Sequence, residues 1–297
     1  MTTEAPPAPV PATRASLPAP TRRRRASAAQ WLVLLATVGA ALLMLTPVLL
    51  LVVNAFKTRA DYSANGPLAL PEVPTLSAFA SYLRIVDFPV ALVNSLVFST
   101  AVAFLAVAIS LLSAYAIGIG RVRGSGVILA ALLLATMLPH EALIYPYFYG
   151  AQALGLLNSI WSVVIIFTVM QACFGTYLLA SVMSTVPREL LEAAAIDGAN
   201  RWQVLWRIVL PVLRPTLGVL LVFFFIWTWN EFYIPLVLLS DPSSQTVPIA
   251  LSTLRGQYSV DITVVNAGSL LSLLPTLVFF VVFQRTLSRG VTAGSIR

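Results

Sequence analysis

The chain has 297 residues, of which 59% are hydrophobic and only 10% charged, with a formal net charge of +7. Soluble domains carry about 25% charged residues, so this chain has too few to cover a water-facing surface, and an integral membrane protein is expected. The basic excess does not indicate nucleic acid, because no soluble basic face is visible, and the single cysteine, Cys173, implies neither a disulfide framework nor a cysteine-based metal site.

Residues 1–30 are rich in Pro and Ala and end in TRRRR. That composition cannot bury a core and reads as a disordered tail. Its arginines either anchor the topology or bind anionic lipid headgroups. The apolar run that follows exceeds a signal-peptide core of roughly 7–15 residues, so it is expected to be retained.

A membrane-crossing helix needs about 20 apolar residues. Residues 26–56, 88–120, 142–187 and 262–284 carry no charge. Six spans are read, at 31–53, 89–114, 127–147, 159–180, 216–239 and 267–287. Residues 31–297 thus form an all-α, polytopic transmembrane domain. The uncharged run 142–187 is too long for one helix, and Gly150, Gly155 and Asn158 are expected to break it. In the second span Ala106, Ser110, Ala114 and Gly118 make a small-residue ridge for close helix packing, within the subunit or against a partner.

With six spans, the loops on the side of both termini hold 14 of the 18 Lys and Arg residues. The positive-inside rule puts both termini and loop 181–215 in the cytoplasm. Two loops on the other side are substantial, at 54–88 and 240–266. In the first, Phe79, Tyr82, Leu83 and Val86 recur at helical spacing and read as a short interfacial helix.

The fifth span holds Glu231 after Trp227, Trp229 and Asn230, with 227, 230, 231 and 234 on one helical face. A charge at mid-bilayer costs about 2.5–3.5 kcal/mol on insertion scales. Glu231 therefore either faces a cavity or hydrogen-bonds a neighbouring helix. A polar and aromatic face suits a sugar, whose hydroxyls need partners while its C–H face stacks on rings. The candidates for the substrate path are Asn230 and Glu231, then Glu141, Tyr145 and Trp227. His140, beside Glu141, reads as a packing residue, and no second His makes a metal cluster. The only lysine is Lys57, so no Gly-x-x-x-x-Gly-Lys loop exists. No nucleophile set can be assembled either, and neither an enzyme activity nor a cofactor is expected.

One stretch is different. Residues 184–214 contain Arg188, Glu189, Glu192, Asp197, Arg201, Arg207 and Arg214. Inserting all seven would cost roughly 20 kcal/mol at about 3 kcal/mol each, so the segment stays outside lipid. Pro187 fits a first helical turn and Glu189 complements the dipole. Glu192, Ala195, Ile196 and Ala199 share a face, and Gly198 interrupts the helix. A second helix follows, with Trp202, Leu205, Trp206 and Val209 on one face and Pro211 marking the approach to the next span. Small side chains on the first helix let another protein approach its backbone closely.

This stretch resembles the EAA loop in the membrane subunits of binding-protein-dependent ABC importers. The motif falls on Glu192, Ala193, Ala194, Asp197, Gly198, Ala199, Ile208, Leu210 and Pro211, with Leu205 where Phe is usual. ALVNSL (91–96), TMLPHEALIYPYF (136–148), ALGLLNSIWSVVI (153–165), VPRELLEAAAIDGA (186–199), WNEFYIPL (229–236) and FQRTLSRGVTAGSIR (283–297) are similar to carbohydrate permeases of the maltose-transporter G-subunit type. The GSIR ending departs from that type's small-residue–Val–Lys–Gly. The resemblance implies a multi-pass subunit of a bacterial-type inner membrane. It further implies a second homologous permease, two copies of a separate ATPase subunit, an extracytoplasmic solute-binding protein and a sugar substrate. Glu192, Ala193, Ala194, Asp197, Gly198 and Ala199 would then couple to the ATPase. The rival reading is a secondary transporter driven by an ion gradient. It needs mid-bilayer coupling acids and usually an internal repeat, and it leaves the EAA element without a role.

Overall fold

The computed structural model describes residues 28–120, 122–184, 186–254 and 261–293. The tetra-arginine tail and the GSIR ending lie outside the described residues. Residues 1–47 and 48–297 are two separate compact units. In the first, α1 (Ala28–Ala55) begins. Its Thr37 and Thr46 hydroxyls donate to the carbonyls of Val33 and Leu42 at 2.8 and 2.9 Å, so an apolar helix spends its few polar side chains on its own backbone.

Among the described residues every regular element of the second unit is helical. After α1 come α2 (Arg59–Asn65), α3 (Ser77–Ile85), α4 (Phe88–Gly118) and α5 (Ser125–Thr136). A 3-10 turn (His140–Leu143) leads into α6 (Ile144–Ala153), then α7 (Ile160–Met183) and α8 (Arg188–Ile196). α9 (Arg201–Val204), a π turn (Leu205–Val209) and α10 (Leu210–Trp229) follow, then α11 (Tyr233–Leu238), α12 (Val247–Ser252) and α13 (Ile262–Ala293).

Among the described residues five helices are long and apolar enough to cross a membrane, and a sixth crossing is made if the bent pair 125–136 and 140–153 counts as one. The third span, expected as one helix over 127–147, is therefore broken, with a 90° bend. Pro139 is the cause. Its ring excludes the α conformation at the residue before it and removes a backbone donor, and it sits at φ −65°, ψ 120°. The next break differs from the expected one in a single residue. Gly150 stays inside α6, while Gly155 (φ 66°) and Asn158 (φ 60°) make the turn. Asn158 is held there by its partners. Its N–H donates to Leu238 O at 2.9 Å, and its Oδ1 accepts the N–H groups of Ser240 and Asp241 at 2.8 and 3.0 Å.

The fifth span was expected at 216–239 but runs from Arg201 to Trp229 as one helix. A helix through Pro235 would drive the proline ring against the carbonyl of residue 231, so the chain leaves the helix before Glu231 and restarts as α11. The charged stretch consequently has no separate second helix, because Arg201–Val209 is the start of the span itself. Leu205 and Val209 are buried as expected, but Trp202 and Trp206 are exposed. From Leu205 on, the wider π turn shifts the register that a uniform 3.6-residue period assumes, while nothing in the turn accounts for Trp202.

The core lies between α4, α7 and α10. Ala106, Ser110 and Ala114 are fully buried, so the small-residue ridge serves packing within the subunit. A Cβ on Gly118 would approach Met183 Cβ at 3.3 Å. Gly175 is tighter: an added Cβ would lie 2.9 Å from Ser110 Cβ and 3.1 Å from Phe224 Cζ. Ser110 Oγ donates to Ala172 O at 3.3 Å across this contact.

The short helices cluster at the ends of the spans. Tyr82 of α3 is fully buried with Ala91, Val247, Ala250 and Val264, so the helix expected here forms and packs this face into the protein; Leu83 alone of its apolar face is mainly exposed. Gly268 makes room, since a Cβ there would meet Tyr82 Cε2 at 2.6 Å. Lys57 is also buried, its Nζ donating to Gly66 O at 2.8 Å. Asn94 Nδ2 ties α4 to the carbonyls of Ser243 and Gln245 at 2.9 and 3.0 Å. In the same loop the hydroxyl and N–H of Ser243 hold the Asp241 carboxyl below its usual range.

Gly175→Ala is expected to cost about 1–3 kcal/mol by overpacking, lowering the midpoint of thermal unfolding in detergent. Adding Ser110→Gly should recover part of that loss, whereas Gly150→Ala, in open space, should lose almost nothing.

Candidate functional site

α8 is an exposed nine-residue helix on the loop between the spans formed by α7 and α9–α10. Pro187 stands at its N-cap rather than in its first turn, and Glu189 lies in the first turn. Only Ala194 is buried. Glu192, Ala193, Ala195 and Asp197 are exposed, and Ile196 is 86% exposed. An isoleucine so open at the end of a charged helix has no packing role in this chain.

The end of α8 explains the Asp-Gly-Ala spacing. Ala199 N–H donates to Ala194 O at 2.9 Å and Gly198 N–H to Ala195 O at 3.1 Å. This paired closure needs a left-handed residue at its centre, and Gly198 has φ 72°. The next helix starts at once. Asn200 Oδ1 accepts Gln203 N–H at 2.9 Å, and Gln203 Oε1 accepts Asn200 N–H at 2.8 Å, a capping box. Tyr115 Oη, from the end of α4, donates to Arg201 O at 2.8 Å. The corner between α8 and the fifth span is thus closed on both sides and fastened to the core.

The polar residues inside the membrane divide into two groups. A cavity of about 430 Å³ opens between the bend of α5 and α6 and the faces of α7 and α10. His140, Tyr147, Gln171, Cys173, Phe223 and Trp227 are among the residues of its wall. Gln171 is 3% exposed. Its Nε2 donates to Thr228 Oγ1 at 2.8 Å, while its Oε1 has no partner. Phe223 and Trp227 meet edge to face, 5.5 Å apart.

Of the expected path residues only Trp227 lines this cavity. Asn230 is exposed and its Nδ2 closes the helix on Ile226 O at 2.7 Å. Glu231 is half-buried in the break, against the N–H groups of Phe232, Tyr233 and Ile234 and within electrostatic reach of Glu141. Residues 227, 230, 231 and 234 do not share a helical face, because the helix ends at Trp229. Glu141 and Tyr145 are exposed, outside the cavity wall. Gln171 was missed. Its signal was present: it is the one amide between 160 and 183, in an otherwise apolar span.

Residues 78–292 match the family described as the inner membrane component of binding-protein-dependent transport systems. The chain belongs to that family. This permease is 29% identical over 84% of its length, and 91% of the relative's, to the diacetylchitobiose uptake system permease of Streptomyces coelicolor. It is 27% identical over 85% of its length, and 89% of the relative's, to the sulfoquinovosyl glycerol transport system permease of Agrobacterium fabrum. Its fold is that of a chain in a bacterial ABC transporter involved in importing the acidic polysaccharide alginate, with a TM-score of 0.77 at 22% identity, covering 88% of this chain and 98% of that one. The permease is therefore a multi-pass inner-membrane transport subunit.

Gly198→Val should strain the left-handed corner by about 1–2 kcal/mol and open the paired closure. Hydrogen exchange should show the amides of Gly198 and Ala199 exchanging at least fivefold faster, with those of α4 and α7 unchanged.

Proposed function

We propose that this permease forms half of the translocation path for a sugar or oligosaccharide in an ABC importer, beside a second homologous permease. Two copies of a separate ATPase subunit bind on the cytoplasmic side, where loop 181–215 and both termini lie, and an extracytoplasmic solute-binding protein delivers the substrate. α8 is the docking element. Glu192 and Asp197 offer charge-assisted contacts to basic residues of the ATPase, Ala193 and Ala195 allow close approach, and Ile196 supplies an apolar anchor.

The observation that carries this reading is the form of α8. It is exposed and bears an open isoleucine, yet it is joined to the fifth span through a capped corner. A floppy loop would absorb the motion of a partner, whereas a capped corner passes it to Arg201–Trp229, which is one helix. The ATPase closes on ATP, α8 follows, and the span it leads into changes the side to which the path opens. The arginine distribution supports the orientation, and the relatives that move saccharides support the cargo.

Glu192→Lys and Ile196→Asp should each lower sugar uptake at least tenfold and reduce the amount of ATPase that co-purifies, while the permease still reaches the membrane in normal amount. Uptake by either variant at the level of the unaltered chain, or uptake by the chain alone driven by an ion gradient, would sink the proposal.

A further inference from the structure

A second groove, of about 570 Å³, lies between the end of α4 and the start of the fifth span. Leu112, Ala116, Ile119 and Leu205 give it an apolar side, and Arg201 and Trp202, both exposed, stand at its edge. Leu112 is itself exposed, so the groove opens to the outside of the bundle.

Its neighbours fix its depth in the membrane. The 24 residues of α7 extend about 36 Å at roughly 1.5 Å per residue, slightly more than the hydrocarbon thickness of about 30 Å. α7 ends at Met183, which packs against Gly118 at the end of α4. One turn before Gly118, Tyr115 Oη donates to Arg201 O at 2.8 Å. Arg201 therefore stands just beyond the hydrocarbon, at the level of the lipid phosphates, while Leu112 carries the apolar side of the groove back toward the acyl chains.

Charge is the second observation. Among the described residues the Arg201 guanidinium has no hydrogen-bond or ion-pair partner, and no Asp or Glu lines the groove. A guanidinium with no acid to pair it, at the rim of an apolar groove, suits a phosphate carried on an apolar chain. Trp202 adds an aromatic ring of the kind that settles at headgroup level.

We propose that this groove holds an anionic phospholipid, with its phosphate on Arg201 and one acyl chain along Leu112, Ala116, Ile119 and Leu205. Basic pockets between spans on the cytoplasmic side hold anionic headgroups in this way. The choice of leaflet, the cytoplasmic one, rests on the orientation in the proposed function. The lipid lies against the corner that Tyr115 fastens, so it braces the point where α8 joins the fifth span.

The assembled complex is placed in phosphatidylcholine nanodiscs in which a varied share of the lipid is brominated in its acyl chains, as phosphatidylglycerol or as phosphatidylcholine. Bromine quenches indole fluorescence on contact, and subtracting the signal of a Trp202→Phe complex isolates Trp202. One basic residue at the surface favours an anionic lipid about fivefold. Brominated phosphatidylglycerol should therefore half-quench Trp202 at about a fifth of the share that brominated phosphatidylcholine needs. Arg201→Gln should abolish the preference, and Ala116→Phe, which fills the groove, should abolish it with the arginine in place. Arg123→Gln, at an exposed arginine outside the groove wall, should leave it unchanged. Equal quenching by the two lipids, or a preference that survives both Arg201→Gln and Ala116→Phe, overturns the inference. So does a Trp202 that neither lipid quenches, since a partner protein then covers the groove. The discs carry each lipid in both leaflets, so the preference is read whichever way the chain inserts. An orientation opposite to the proposed one leaves the site standing and counts against the proposed function alone.

Discussion

In hydrocarbon a backbone amide has no water to turn to, so every departure from helix must be satisfied by the protein itself. That constraint orders this chain. Its breaks among the described residues fall where proline forbids helix or glycine and asparagine permit a left-handed residue, and several are met by named partners. Asn158 closes one by accepting two backbone N–H groups from the loop after α11. Asn230 closes another on Ile226 O. Outside lipid, Gly198 closes a third in the same way, through paired bonds to Ala194 and Ala195. The irregular segments are the places where one part of the permease is tied to another.

The same constraint decides which contacts carry the fold. Lipid tails are as apolar as leucine, so apolar burial gives little drive for helix association and close packing must supply it. The ridge of Ala106, Ser110 and Ala114 against Gly175 does this between α4 and α7, with Phe224 of α10 entering the same contact. α4 then carries the fold outward at both ends. At one end Tyr115 holds the start of the fifth span. At the other, Asn94 holds the segment before α12.

Much of this was legible in the sequence. Charge-free runs located the long helices, because the cost of burying charge leaves no other reading of them. The small-residue ridge and the Asp-Gly break were readable because each follows from local geometry. What escaped were effects that depend on two segments at once. Hydropathy is blind to backbone donors, so the spans at 127–147 and 216–239 read as running through Pro139 and Pro235, in runs that stay apolar on both sides. The fifth span begins at Arg201, earlier than its apolar run, because a helix can leave lipid without ending and charged residues cover its outer turns. Gln171 gave a weak signal, one amide among apolar neighbours. Its meaning came only from the bend at Pro139, which leaves a cavity against α7. Glu231 gave a strong signal that pointed to the wrong neighbours, since its helical face ceases to exist one residue before Asn230.

The fifth span joins the two candidate sites. At about 1.5 Å per residue, the 29 residues from Arg201 to Trp229 extend about 43 Å. The capped corner under α8 stands at one end. At the other, Thr228 accepts the hydrogen bond of Gln171, and Trp227 faces the cavity one residue before it. A helix is stiff along its axis and turns as a body, so beyond the π turn and Pro215 a rotation of this span reaches Trp227 and Thr228 with little loss. The π turn at Leu205–Val209 lies between the driver and the shaft, where a widened turn most easily takes up a change of pitch. Under the proposed function, movement of α8 would then bear on Thr228, the partner of Gln171, and on the ring of Trp227 at the cavity wall. Handling of the cargo and docking of the ATPase would be linked through one helix, and linkage of that kind is reciprocal: whatever holds Thr228 and Trp227 in place would also hold the corner at Arg201.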